Sequence, residues 1–139
     1  MQLIVDTNIL VSFFRNNPVR FIILNSKSLN LELFTPEYAI EELKKNKSDV
    51  LKYGKINSED FNKMRLDLVN LIRTISEISF RKYAAEAKEL IHDKDAPFFA
   101  LALFLNCAIW SNEPAFKEQE KIRIFNTSDL RNLLKTQIF

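Results

Sequence analysis

From Ala96 to Trp110 the chain carries no charged residue, and Ala96 to Leu105 are apolar on every side. A helix with no polar stripe has no face to turn toward water, so it must lie buried among other elements. That run is also too short for a membrane span, which takes roughly 20 residues. After Asn106, Cys107-Ala108-Ile109-Trp110 reads as a buried strand. A buried helix handed directly to a buried strand points to a sheet covered by helices.

The other segments repeat that alternation. Leu3 to Val5 form a short buried strand, followed by a helical turn from about Ile9 to Phe14. Pro18 opens a helix ending at Asn25 or Ser26. Leu31 to Phe34 make a second strand. Thr35-Pro36-Glu37 then supply a cap, a first-turn proline and an acid for a helix reaching about Tyr53. Ser58 begins another helix, with Phe61, Met64, Leu68, Leu71 and Ile72 at helical spacing. Ile75 to Ile78 are read as the third strand and Arg81 to Ile91 as a helix. Ile122 to Phe125 are the fifth strand, and Ser128-Asp129 cap a last helix to about Lys135. Strands alternating with helices imply an α/β fold with a parallel sheet covered on both faces. One glycine, Gly54, and no repeat or linker make residues 1–139 a single continuous domain.

A formal net charge of +2 permits an RNA or DNA substrate but excludes binding by charge alone. The lone Cys107 rules out an internal disulfide, and its apolar neighbours make it a structural thiol rather than a nucleophile. A strand starting at residue 2 leaves no room for a signal peptide. The expectation is a soluble, cytoplasmic protein with no membrane segment.

Asp6 ends the first strand, where α/β sheets place their ligands. Thr7 and Asn8 follow in the turn and can hold the carboxylate in one orientation. Glu41 and Glu42 compete for a second acidic position. Pro36, Ala39, Ile40, Leu43, Val50 and Leu51 share one helical stripe, and Glu42 lies on its flank while Glu41 points away. Glu42 is therefore the pocket-edge acid. Asp95 precedes the buried helix, where helix capping alone could explain it. Ser111 and Glu113 follow the fourth strand. If that strand neighbours the first, both emerge beside Asp6. Four crowded carboxylates repel one another unless a cation sits between them, which suggests a hard divalent metal. Arg15 and Lys45 are the candidate substrate-gripping cations, the latter from a lysine-rich helix end that also reads as a solvated face.

Taken in order, these features resemble the PIN-domain nucleases. The residues that carry the likeness are Asp6-Thr7-Asn8, Glu42-Leu43, and Asp95 leading into Ala96-Pro97-Phe98-Phe99-Ala100-Leu101-Ala102. Trp110-Ser111-Asn112-Glu113 with Phe116, and Ile124-Phe125-Asn126-Thr127-Ser128-Asp129-Leu130, complete it. The resemblance implies a three-layer α/β/α sandwich around a five-stranded parallel sheet of order 3-2-1-4-5. It implies Mg²⁺ or Mn²⁺ bound by Asp6, Glu42, Asp95 and Glu113, with hydrolysis of RNA phosphodiesters. Thr7, Asn8 and Ser111 are the supporting residues. Either Glu42 or Asp95 is the proton acceptor.

The family usually has Asp at the position of Glu113 and often a second Asp where this chain has Ala115. Glutamate's longer reach puts a second metal in doubt more than the first, given the near-ideal geometry Mg²⁺ demands. These two positions also support a rival reading, a non-catalytic PIN-like module that binds RNA or protein. Haloacid-dehalogenase phosphatases need an Asp at the position of Asn8. Receiver domains need an Asp after the third strand, where Phe80-Arg81-Lys82 stands, so both are disfavoured. A small stand-alone chain resembles the toxin half of a toxin–antitoxin pair, which implies an antitoxin protein and a homodimer. Phe13, Phe14 and Phe21 are the candidate contact surface. A nuclease of RNA maturation or decay fits the same residues.

Overall fold

The computed structural model describes residues 1–138. Five strands, Gln2–Val5 (β1), Glu32–Pro36 (β2), Ile72–Ile75 (β3), Ala108–Trp110 (β4) and Ile124–Phe125 (β5), form one sheet. Their order is β3-β2-β1-β4-β5 and every pairing is parallel. Successive strand residues face opposite sides of a sheet. Leu3, Ile4 and Val5 are all fully buried, so helices cover both faces of the central strand.

The helices of the first half are Thr7–Ser12 (α1), Pro18–Leu24 (α2), Glu37–Lys45 (α3), Lys47–Gly54 (α4) and Ser58–Leu71 (α5). Glu77–Phe80 (α6), Ala84–Leu90 (α7), Ala96–Leu105 (α8) and Thr127–Ile138 (α9) follow. The charge-free α8 packs on β1, β2 and β4, with Phe99 and Leu101 fully buried. Register then decides what meets at the sheet's carboxyl edge. Val5 lies opposite Trp110 and Ile4 opposite Phe34, so the chain leaves β1, β2 and β4 side by side.

Several element boundaries differ from the sequence reading. The third strand is Ile72–Ile75 rather than Ile75–Ile78, because Ile72 is buried opposite Leu33 and Ser76 caps a short helix at Ile78 N. The helical spacing from Phe61 runs on into Ile72 and conceals the switch. Thr35 is a strand residue, not a helix cap; its hydroxyl donates to Val5 O at 2.8 Å across the sheet. The amide of Tyr38 in the first turn of α3 is satisfied from afar, by Glu77 Oε1 at 3.0 Å. The helix expected to reach Tyr53 breaks at Asn46, whose side-chain amide donates to Glu42 O at 3.0 Å and competes with helix continuation. The first helix starts at Thr7, before the expected Ile9. The last starts at Thr127, with Asn126 and Asp129 exchanging side-chain-to-backbone bonds of 2.7 and 3.0 Å.

Phe13 and Phe14 are buried, and Phe14 stacks on Phe61 at 5.1 Å, so neither can serve as a contact surface. Of the three phenylalanines, Phe21 alone is exposed, at 59%.

The single glycine marks a close approach. A Cβ on Gly54 would sit 2.4 Å from the Phe14 carbonyl oxygen. Alanine ordinarily favours a helix over glycine by about 1 kcal/mol. Here the clash with backbone reverses the sign. Gly54→Ala is expected to lower unfolding free energy by about 1–3 kcal/mol in urea denaturation. An unchanged or higher midpoint would show that α4 is free to move away from the Phe14 backbone.

Candidate active site

At the end of β1 the backbone turns into α1 with Asp6 as its cap. Oδ1 accepts from Ile9 N at 2.9 Å, and Oδ2 accepts from the Ser111 hydroxyl. Ser111 leaves β4 beside it, and its oxygen also accepts from Glu113 N at 3.1 Å. One hydroxyl thus ties the carboxylate of Asp6 to the backbone of Glu113. Asp6 is only 3% exposed, and both of its partners are neutral.

Glu42 reaches the same edge from α3. Its Oε1 accepts from the Thr7 hydroxyl at 2.8 Å. The sequence reading gave Thr7 to Asp6; the structure gives it to Glu42, because α1 packs on α3. Asp95 stands at the start of α8 without forming a capping bond to it, so capping does not account for this acid. Glu113 is exposed at the start of a 3₁₀ turn, Pro114–Glu118. Asp6, Thr7, Asn8, Glu42, Asp95 and Glu113 all line one cavity of about 490 Å³.

The charges feel one another. Burial, with repulsion from Asp95 and Glu113, pushes the Asp6 carboxyl from its ordinary 3.8 up to about 6, against the hydrogen bonds from Ser111 and Ile9. Asp95 is also raised, first by burial and then by Glu113 and Glu42, while Lys94 and His92 oppose the rise. Tyr38 lines the same cavity, and burial with the nearby Glu42 and Asp95 pushes its hydroxyl up to about 12.

Arg15 and Lys45 do not line this cavity. Arg15 lies over the Tyr53 ring at 5.1 Å, and Lys45 is exposed in the last turn of α3. The basic side chains lining the cavity are instead Lys94 and His92. Their position in the three residues leading into Asp95 was the available sequence signal. Cys107 is remote, half-buried where the chain enters β4, and burial pushes its thiol up to about 11, away from nucleophile chemistry.

The donors are almost all oxygen, which suits a hard cation. Among the described residues, no three histidine, cysteine, aspartate or glutamate side chains converge tightly enough to clasp one ion directly. A hard cation held by fewer carboxylates than that completes its shell with water.

A family model described as PIN domain matches residues 4–129. The chain belongs to the PIN-domain family. Two solved structures share the fold. VapBC2 from Rickettsia felis, bound to a DNA fragment from their promoter, gives a TM-score of 0.63 at 18% identity, covering 91% of this chain and 98% of that one. VapBC-1 from nontypeable Haemophilus influenzae gives 0.62 at 21% identity, covering 92% and 99%. No curated protein matches the sequence. The five-stranded order seen here is thus that of a PIN domain, with its acids at the carboxyl edge.

The Asp6 shift makes a stability forecast for this PIN domain. Between pH 3.8 and about 6 the folded protein keeps a proton that the unfolded chain has released. Stability therefore falls as pH rises through that window, and the loss is complete above it. Two pKa units correspond to about 3 kcal/mol. In the presence of a chelator, Asp6→Asn is expected to raise unfolding free energy at neutral pH by up to that amount. The gain should vanish below pH 3.8. A difference independent of pH would mean that Asp6 is not held at this cost.

Proposed function

We propose that this PIN domain is a divalent-metal-dependent ribonuclease that hydrolyses RNA phosphodiester bonds, and that it is the toxin of a toxin–antitoxin pair. The observation that carries the nuclease reading is the Asp6 carboxylate, buried without any positive partner from the protein and sharing one cavity with three further acids. A folded protein retains so unfavourable a charge when a bound ion offsets it. The toxin assignment is supported by the likeness of the fold to the two VapBC structures. It brings with it an antitoxin protein as partner and a homodimer as assembly.

Asp6, Glu42, Asp95 and Glu113 are the residues that would hold Mg²⁺ or Mn²⁺. When bound, such an ion acidifies a coordinated water and neutralises charge on the attacked phosphate. The protein's own part is orientation. Ile9 N–H and the Ser111 hydroxyl occupy one lone pair on each Asp6 oxygen and fix the carboxylate plane. The Thr7 hydroxyl donates to Glu42 Oε1 and helps to hold that carboxylate in place. The Glu42 and Asp95 carboxylates are the two candidate acceptors for the proton of an attacking water.

Purified protein is expected to cleave single-stranded RNA with Mn²⁺ or Mg²⁺ and to stop in chelator. Asp6→Asn and Asp95→Asn should each lose about 10²–10³-fold in rate, the scale of removing one preorganised electrostatic group. Mn²⁺ should raise the melting temperature of wild type but not of Asp6→Asn. If wild type gains stability from Mn²⁺ and binds RNA without cutting it, the non-catalytic module is the correct reading, and Glu113 with Ala115 is where activity was lost.

A further inference from the structure

The charge balance of the cavity poses a problem for any phosphodiester substrate. Four carboxylates line it, and one divalent ion offsets only two of them. A strand carrying one negative charge per phosphate must still approach two surplus negative charges, at short range and in a partly buried site. Some fixed positive charge at the mouth has to compensate.

Lys94 is the only lysine or arginine among the residues that line the cavity. It is exposed, and among the described residues its ammonium makes no ion pair. Its backbone, by contrast, is fixed. Tyr38 Oη donates to the Lys94 carbonyl at 3.3 Å, and the turn closes through Asp95 N donating to His92 O at 2.9 Å. Tyr38 itself packs on Phe98 of α8, with ring centroids 6.1 Å apart. α3 and α8 therefore clamp the turn that carries this lysine, while its side chain stays free to reach outward. Lys117 pairs with Asp129, Lys121 pairs with Glu86, and Arg20 donates to the Phe13 carbonyl.

We infer that Lys94, presented at the lip of the acidic cavity by the clamped His92–Asp95 turn, is the residue that binds a phosphate of the RNA strand. This inference rests on the nuclease reading for the identity of the strand, but not for the contact itself. A lysine serves here as a point charge on a flexible stem, suited to a phosphate whose position varies with sequence.

The test is fluorescence anisotropy of a short labelled oligoribonucleotide across a salt series, with cleavage followed in parallel on the same RNA. One lost phosphate contact makes the dependence of log affinity on log salt shallower by about 0.7 for a single strand. At about 0.1 M salt that is a loss of about fivefold in affinity. Lys94→Ala is expected to show both changes and to raise KM for cleavage with little effect on kcat, while Mn²⁺ stabilises it as well as wild type. Lys94→Arg should keep the salt dependence of wild type, and Lys63→Ala, off the cavity and paired with Glu59, should change neither quantity. Wild-type protein that cleaves RNA, with Lys94→Ala unchanged in salt slope and KM, would overturn the inference and leave the nuclease reading standing. Wild-type protein that binds RNA in a Lys94-dependent way without cleaving it would do the reverse.

Discussion

The Asp6 carboxylate, held between a helix amide and the Ser111 hydroxyl with no cation of the protein's own, is the interaction on which the site depends. It exists only because β1 lies next to β4, so that the residue after Val5 and the residue after Trp110 leave the sheet together. Burying an ionised carboxylate costs several kcal/mol after relaxation, and two neutral donors recover part of that. The apolar strands on either side and the charge-free α8 supply the burial that lets the fold carry this cost. An acid at the same place on an exposed loop would titrate normally and gain little from an ion.

The four acids are not equivalent, and their burial grades the site. Asp6 is enclosed, Glu42 and Asp95 are half-buried, and Glu113 is exposed. Fixity follows the same order. Asp6 has both oxygens bonded, Glu42 has one, and Glu113 is tied only through its backbone amide to Ser111. An ion with strict geometric demands is best met by the rigid end of that series, with waters completing its shell. Substitution of the family's usual Asp by Glu falls at the loose end, where added length disturbs least.

What the sequence made readable was whatever depended on short spacing. The apolar run of α8, the acid at the end of β1 and the choice of Glu42 over Glu41 all follow from local periodicity. The Glu42 choice rested on the flank of one helical stripe, and that side chain does reach Thr7 and the cavity. The misreadings involve partners distant in sequence. Thr35 looks like a cap because its true acceptor, Val5 O, is thirty residues away. The cap of α3 comes from Glu77, beyond β3, which no window around Pro36 contains. The third strand was shifted because Leu71 and Ile72 continue the helical spacing of α5 even as the backbone becomes extended.

Arg15 and Lys45 lie outside the cavity lining. Arg15 was expected near the mouth because of its helix, and Lys45 because of a lysine-rich helix end, but long cationic side chains settle on whatever surface is close. Arg15 lies over the Tyr53 ring, and Lys45 is exposed in the last turn of α3 outside the cavity lining. Lys94 was overlooked because a lysine flanked by Asp93 and Asp95 reads as simple local neutralisation. In the folded protein the turn is clamped by Tyr38, and the ammonium pairs with neither neighbour. A cation kept unpaired beside carboxylates gains from them through the field rather than through a bond, and so remains available to an incoming anion. The acids that repel a phosphate thereby also hold in place the charge that admits it.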